Sequence, residues 1–384
     1  MLVRHASTGW LAVLLCGIPC LAGDGVRLNQ IQVIGTHNSY HVAPAPSISG
    51  LIGAASQTAA DALDYTHRPL PEQFSDLGIR QIELDLFADP RGGHYAEPTA
   101  RKILKGLGKD PGPDPDEGGK LQKPGLKIFH VQDVDYRSTV STFADALLQV
   151  RDWSNDHPRH VPILVLIETK DDPIPALPTR PIPFGLEELE SIDGEIRAIF
   201  EPSRLLTPDD LRGDHASLLE AIQARGWPEL DEVRGKVYFA LDDEGALRDR
   251  YLDGHPALQG RVLFVSVEPD HPAAAWMKVN DPVRDFDRIQ RLVQQGFLVR
   301  TRADADTQES RKNDPSRREK ALASGAQFVS TDFPEPRLEL SPYQVRLPAR
   351  AAARPNPVLD LPDGLPADLE SPEVVSPPSS IKAP

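Results

Sequence analysis

The most constraining feature of this chain is a recurrence. Eight short apolar runs, rich in β-branched and aromatic residues, alternate with stretches of helical periodicity. The runs are IQVIGTH (31–37), IRQIELDLF (79–87), LKIFHV (126–131), ILVLIET (163–169), KVYFALD (236–242), RVLFVSV (261–267), FLVRTR (297–302) and AQFVST (326–331). Their length and composition predict strands. Between them, residues 68–80 begin with proline and place Gly78 after their last apolar residue, as a helix with a glycine stop does. Residues 138–155 put Phe143, Leu147, Val150 and Trp153 on one stripe, and residues 185–200 do the same with Leu189, Ile192 and Ile196. Strand then helix, repeated to eight strands, predicts an α/β fold of the TIM-type (β/α)8 barrel class. The long segment Val42–His67 between the first two strands predicts that the barrel is distorted. No strand is followed by GxGxxG or GxxxxGK[ST], so the nucleotide-binding doubly wound folds lose support.

The ends of the chain read differently from its middle. Residues 1–23 carry Arg4, a short apolar run and small residues at Ala22 and Gly23, which predicts a signal peptide and an exported protein. The run is too short for a comfortable membrane span of ~20 residues. Both cysteines, Cys16 and Cys20, lie in it, so the mature chain has no disulfide, thiolate nucleophile or cysteine-bound metal. Residues 344–384 are rich in proline and small residues without apolar periodicity, and are expected to be a disordered tail. One barrel domain, 24–343, remains. The formal net charge of -15 disfavours nucleic acid and offers no general attraction to an anionic membrane. Nor does an apolar rim stand out, since aromatic residues are 6% of the chain.

Reactive groups of such a barrel collect at the C-terminal ends of its strands. Strand one ends in His37 and Asn38; strand two carries Glu83 and Asp85; strand three ends in His130; strand four ends in Glu168 and Lys170. Strand alternation puts Glu83 with Asp85, Glu168 with Lys170, and Arg300 with Arg302 on shared faces. Inward carboxylates are costly unless something cationic neutralises them. Three carboxylates and an amide carbonyl form an all-oxygen set of the kind a hard cation such as Ca²⁺ prefers, whereas zinc would recruit the histidines. His37 and His41 are four apart but leave a strand, so that spacing does not pair them, and the histidines read as acid–base groups.

THNSYH, the ELD of strand two, the histidine of IFHVQD and the glutamate of IETK occur in that order on consecutive strands. This set resembles the calcium-dependent phosphatidylinositol-specific phospholipase C family of secreted bacterial enzymes. The resemblance implies Ca²⁺ held by Asn38, Glu83, Asp85 and Glu168. It implies that His37 stabilises the phosphorane, that His130 is the general acid, and that Glu83 or Glu168 takes the proton of the attacking inositol 2-hydroxyl. Lys170 and Arg302, with Arg300 as alternate, are candidates for phosphate or head-group binding. Asp242 and Asp332 are placed to bind sugar hydroxyls or to pair with the arginines. The implied partners are a phosphoinositide and, transiently, a membrane surface, with the protein a monomer. Two other readings stay open: a glycerophosphodiester phosphodiesterase, and a non-catalytic calcium-binding barrel. The acidic set is also open to being a buried salt-bridge cluster with Lys170, Arg300 and Arg302. The remaining histidines, including His41 and His67, read as structural or exposed, and the segments Val42–His67 and Tyr95–Gly125 as insertions that shape the pocket mouth.

Overall fold

The computed structural model describes residues 25–371, so the expected signal peptide and the last residues of the expected tail lie outside it. The strands are β1 (Ile31–Thr36), β2 (Gln81–Phe87), β3 (Lys127–Ile128), β4 (Ile163–Thr169), β5 (Val237–Leu241), β6 (Leu263–Val265), β7 (Trp276–Lys278), β8 (Leu298–Arg302), β9 (Phe328–Thr331) and β10 (Ala353–Pro355). Eight of them are parallel and run around a barrel in the order β1, β2, β4, β5, β6, β7, β8, β9, with β9 back on β1. The closure between β6 and β7 is a single parallel bridge, Ser266 to Trp276. Helices such as Phe143–Asp156, Leu186–Ile199 and Phe286–Gln294 cover the outside with their apolar stripes. The fold is a TIM-like α/β barrel, as the strand–helix alternation predicts.

One stave differs from the sequence reading. The run 126–131 is not in the barrel: β3 is a two-residue strand antiparallel to the end of β2, and β2 pairs directly with β4 over six residue pairs. The run is apolar because Phe129 stacks on Phe87, with ring centroids 4.1 Å apart, in a small cluster beside the main core. The stave that completes the barrel is β7. It is three residues long, follows three alanines, and so carries no strand-like run.

The distortion has a local cause. Along one edge of β1, Ile31–Val33 pair antiparallel with β10, and only Gly35 pairs with β2, at Gln81. β1 thus changes partner midway, and the Gln81 side chain fills the seam. A side chain at Gly35 would overlap Gln81, so glycine is required there.

The expected disordered tail is corrected by the same contacts. The described part of residues 344–384 is packed: Val345, Leu347, Ala353 and Leu369 are buried, and Arg354 hydrogen-bonds Gln32 Oε1 at 2.9 Å through Nε. Glu370 forms an ion pair with Arg80 and accepts from the Val161 N–H at 2.9 Å. A few specific contacts order a segment whose composition has no periodicity.

Candidate active site

The site begins where β1 ends. Asn38 has φ 45°, in the left-handed region that asparagine tolerates better than most residues. The turn is then pinned to β2: the Ser39 N–H donates to the Glu83 carbonyl at 2.9 Å, and the Glu83 N–H to Ser39 Oγ at 2.8 Å. This holds His37 beside the inward face of β2.

His37 is fixed from both sides. Its Nδ1 lies 2.8 Å from Asp332 Oδ1, and its carbonyl accepts from His67 Nε2 at 2.9 Å. Asp332 is in turn paired with Arg302 at 3.2 Å. Burial, then the nearby Arg302 charge, lower the His37 pKa well below the usual value, against the raising effect of Asp332. Burial opposes ionisation of Asp332, but His37 and Arg302 outweigh it and hold its pKa down. A carboxylate that only accepts places the ring proton of neutral His37 on Nδ1. Nε2 is left with its lone pair, 3.6 Å from Glu83 Oε1.

The second histidine is held in the same way. His130 Nδ1 lies 2.8 Å from Asp135 Oδ2, so its Nε2 is the free edge. Because His130 follows β3, it is carried by a loop folded over the end of β2 rather than by a stave. Asp135 is shared: His41 Nε2 lies 2.9 Å from the same oxygen, while His41 Nδ1 faces the Tyr65 carbonyl at 3.0 Å. Both His41 partners are acceptors, and together they hold the ring from each of its nitrogens. Burial opposes ionisation of Asp135, but the two histidines overcome it and pull its pKa down to about 2. His41 is therefore buried structure behind His130. Its ring also stacks on Tyr65, with centroids 4.2 Å apart.

Beside His37 lies the acidic group. Glu83, Glu168 and Asp242 each offer a carboxylate oxygen, all within 4.8 Å of one another. Asp85 stands next to this trio: Lys170 bridges it, at 2.9 Å, to Glu168, at 2.7 Å, and its Oδ1 is buried without a hydrogen-bond partner. Asp242 at the end of β5 takes the third position, and its partner Lys278, 3.2 Å away, comes from β7. Burial raises the Glu83 pKa to about 8 against the opposing Arg300 charge, and raises Asp85 to about 7 against Lys170. Burial also raises Asp243, whose Oδ2 accepts from the Thr169 N–H, to about 7.

The three expected head-group cations are all engaged. Arg300 is paired with Glu83 and donates to Asn280 Oδ1 at 2.6 Å; Arg302 holds Asp332; Lys170 holds Asp85 and Glu168. The salt-bridge alternative is thus partly realised, but it does not balance. Among the described residues, the five carboxylates Glu83, Asp85, Glu168, Asp242 and Asp243 have between them three Lys or Arg ion-pair partners, Lys170, Arg300 and Lys278. Asn38 Oδ1 and Asp242 Oδ1 are buried acceptors without a donor. An excess of carboxylates with orphaned oxygens suits a hard divalent cation, and among the candidate ligands no nitrogen is needed.

Sequence reasoning missed Asp135 and Lys278, and left Asp332 and Asp242 without a definite role. Asp135 has a signal in retrospect, since HVQDVD places a second carboxylate five residues after His130. Lys278 has none, because its strand has none.

Residues 26–357 match the family model described as phosphoinositide phospholipase C, Ca²⁺-dependent. Among solved structures, the chain is similar to a calcium-dependent phosphoinositol-specific phospholipase C from Pseudomonas sp. The TM-score is 0.50 at 13% identity, over 86% of this chain and 95% of that one. A second structure from that source, described as a myoinositol complex, gives the same TM-score and identity over 86% and 96%. A Ca²⁺-dependent phosphatidylinositol-specific phospholipase C from Streptomyces antibioticus is 17% identical, with TM-score 0.49 over 80% of this chain and 95% of that one. At these identities the structural likeness speaks to the fold. No curated protein matches the chain.

Proposed function

The chain belongs to the Ca²⁺-dependent phosphoinositide phospholipase C family and is a phosphodiesterase of that type; from this premise we propose that it cleaves the glycerol-side phosphodiester of a phosphoinositide by internal attack of the inositol 2-hydroxyl. The observation that carries the reading is a pair of imidazoles, each with Nδ1 fixed on a buried carboxylate, at a barrel mouth that also holds an unbalanced acidic cluster.

His37 Nε2 is the base in this reading, a role that the resemblance gave to Glu83 or Glu168. Asp332 fixes the tautomer that leaves Nε2 its lone pair, whereas Glu83 is engaged by Arg300. As the proton passes to His37, the 2-oxygen bonds to phosphorus and the glycerol oxygen departs. His130 enters this step as the imidazolium, with Nδ1–H on Asp135, and its Nε2 gives that oxygen its proton, producing diacylglycerol and a cyclic inositol phosphate. Hydrolysis of the cyclic product runs the roles backward, with water deprotonated by His130 and the 2-oxygen protonated by His37. Glu83, Glu168 and Asp242 would hold Ca²⁺, with Asn38 Oδ1 and Asp85 as further oxygens. Bound there, Ca²⁺ neutralises phosphate charge and lowers the pKa of a nearby hydroxyl. Lys170 and Arg300 set the positions of the carboxylates, and Arg302 sets that of Asp332.

Among the described residues, no helix is long and apolar enough to cross a membrane. Export rests on residues 1–23 and is part of the proposal.

The test is turnover of phosphatidylinositol in mixed micelles against soluble glycerophosphoinositol, with calcium and with EDTA. The account requires calcium-dependent release of diacylglycerol, abolished in His37→Ala and in His130→Ala. Preference for glycerophosphoinositol would favour the phosphodiesterase alternative. Turnover that survives both histidine substitutions would overturn the site.

A further inference from the structure

The connections after β1 and β2 leave the C-terminal ends of parallel strands, so both insertions stand at the catalytic mouth. Their charge is unlike that of the rest of the chain. From Val42 to Ala60 there is no Asp, Glu, Lys or Arg. From Pro98 to Lys109 there are four cations, Arg101, Lys102, Lys105 and Lys109, and no acid, in a chain with 57 acids and 42 bases. The two stretches form helices, Pro46–Ala55 and Thr99–Gly106, that pack on each other.

The second helix has two apolar sides. Ala100 and Leu104 are buried in the small cluster with Phe87 and Phe129, which accounts for its place in the fold. Arg101 turns inward and donates to the Gly112 carbonyl at 2.7 Å. On the outer side, Ile103 and Leu107, one turn apart, are 48% and 62% exposed. Exposed Lys102, Lys105 and Lys109 surround them. The same insertion also carries acids: Glu97 lies 4.0 Å from Lys105, Asp114 lies 3.6 Å from Arg101, and Asp110, Asp116 and Glu117 stand along the loop that follows, while Lys102 and Lys109 form no ion pair among the described residues. The helix is seated on the active site, because the Thr99 N–H donates to Asp133 Oδ1 at 2.9 Å, and Asp133 lies in the loop between His130 and Asp135. On the neighbouring helix, Leu51 and Ile52 are half-buried, and Gly50, Ala54 and Ala55 are exposed.

We propose that this lip is the docking surface for an anionic lipid bilayer, with Ile103 and Leu107 entering the acyl boundary and Lys102, Lys105 and Lys109 meeting the headgroup charge. An apolar ridge ringed by lysines, beside an uncharged helix, is the chemistry of an interfacial segment rather than of a free protein surface. The net charge of the whole chain does not oppose it, because at physiological salt a bilayer senses charges only within a Debye length of about 8 Å. The proposal rests on the phospholipase reading and extends it to how a lipid headgroup is brought to the barrel.

The test separates the two. The full chain is sedimented in EDTA with phosphatidylcholine vesicles, with and without phosphatidylglycerol, a lipid that is not a phosphoinositide. The readout is binding, so it does not depend on turnover. Wild type is expected to bind the phosphatidylglycerol vesicles and to be released by salt. I103S/L107S weakens binding by about 10-fold or more, and K102E/K105E/K109E by at least about 5-fold for each lysine. Both retain the wild-type melting temperature, which controls for folding. Unchanged binding by either variant would overturn the proposal. So would binding only when calcium is present, which would mean cation bridging by the acidic surface. A wild-type dimer that I103S/L107S dissociates would assign the lip to a second copy of the chain and also overturn it.

Discussion

Replacing Asp332 with asparagine tests the chemistry of His37 without removing the imidazole. In the native site, Oδ1 faces His37 Nδ1 at 2.8 Å and Oδ2 faces Arg302 at 3.2 Å, so both partners present hydrogens to the carboxylate. Asparagine has one acceptor for these two donors. If its oxygen stays with Arg302, which can only donate, its NH₂ points at His37 Nδ1. Nδ1 must then accept, the ring proton moves to Nε2, and the lone pair needed for the 2-hydroxyl is lost. If the amide is reversed, its NH₂ faces the buried guanidinium and Arg302 loses its charge partner. The first orientation alone gives every donor an acceptor, so it is the one expected, and turnover should fall by about 10²–10⁴, or about 3–5 kcal/mol in barrier. A thermal destabilisation accompanies it, with about 3–5 kcal/mol as the upper range for breaking a buried pair; Asp304 and Glu83, which also act on Arg302, moderate it. The assay is diacylglycerol release from mixed micelles at saturating calcium, with the melting curve recorded on the same samples. Because both residues serve one step, H37A/D332N should be no slower than H37A. A folded D332N enzyme retaining more than about a tenth of wild-type activity would refute the tautomer argument.

Further outcomes follow from the same geometry. Asp242→Asn should weaken calcium binding by about 10–100-fold, read as a smaller calcium-induced rise in melting temperature, because it removes one of three converging carboxylates. His160, buried between Ser154 and the Val161 carbonyl, has its pKa lowered by burial from 6.5 to about 4. The unfolded chain therefore binds its proton first. Stability from this group is complete above pH 6.5, declines as pH falls, and is lost by about pH 4, a change of about 3 kcal/mol visible in urea melts. In a His160→Gln variant that component of the pH dependence should vanish. Glu370→Ala should destabilise the fold by about 3 kcal/mol, since it leaves Arg80 buried against Trp153 without its carboxylate. A neutral result there would mean that the C-terminal segment does not hold the barrel.

Strand ends were legible in the sequence wherever the strand was long. His37, Glu83, Asp85 and Glu168 follow or sit within runs of β-branched residues, so their placement on one barrel face could be read from alternation alone. Two kinds of information could not. One is partnership across the closed barrel. Asp332 reaches His37 because β9 pairs with β1 in the register Thr36 to Thr331, and neither run states that register. Asp242 joins Glu83 and Glu168 for the same reason, and Lys278 stands on a stave too short to leave a pattern. The other is local deviation from an average. The acidic total concealed the four cations between Pro98 and Lys109. The proline-rich composition after residue 344 concealed a strand partner for β1 and an ion pair for Arg80. The apolar run before His130 reads as a stave, but the histidine stands on a loop pinned over β2.

The central claim is that His37 and His130, beside a calcium-holding acidic cluster, carry out internal attack by the inositol 2-hydroxyl. Phosphorus NMR of phosphatidylinositol cleavage tests this most directly. The account predicts a cyclic inositol phosphate that appears first, is consumed later, and is absent in EDTA and in His37→Ala. Direct formation of an acyclic inositol phosphate, or a time course unchanged by EDTA, would contradict it.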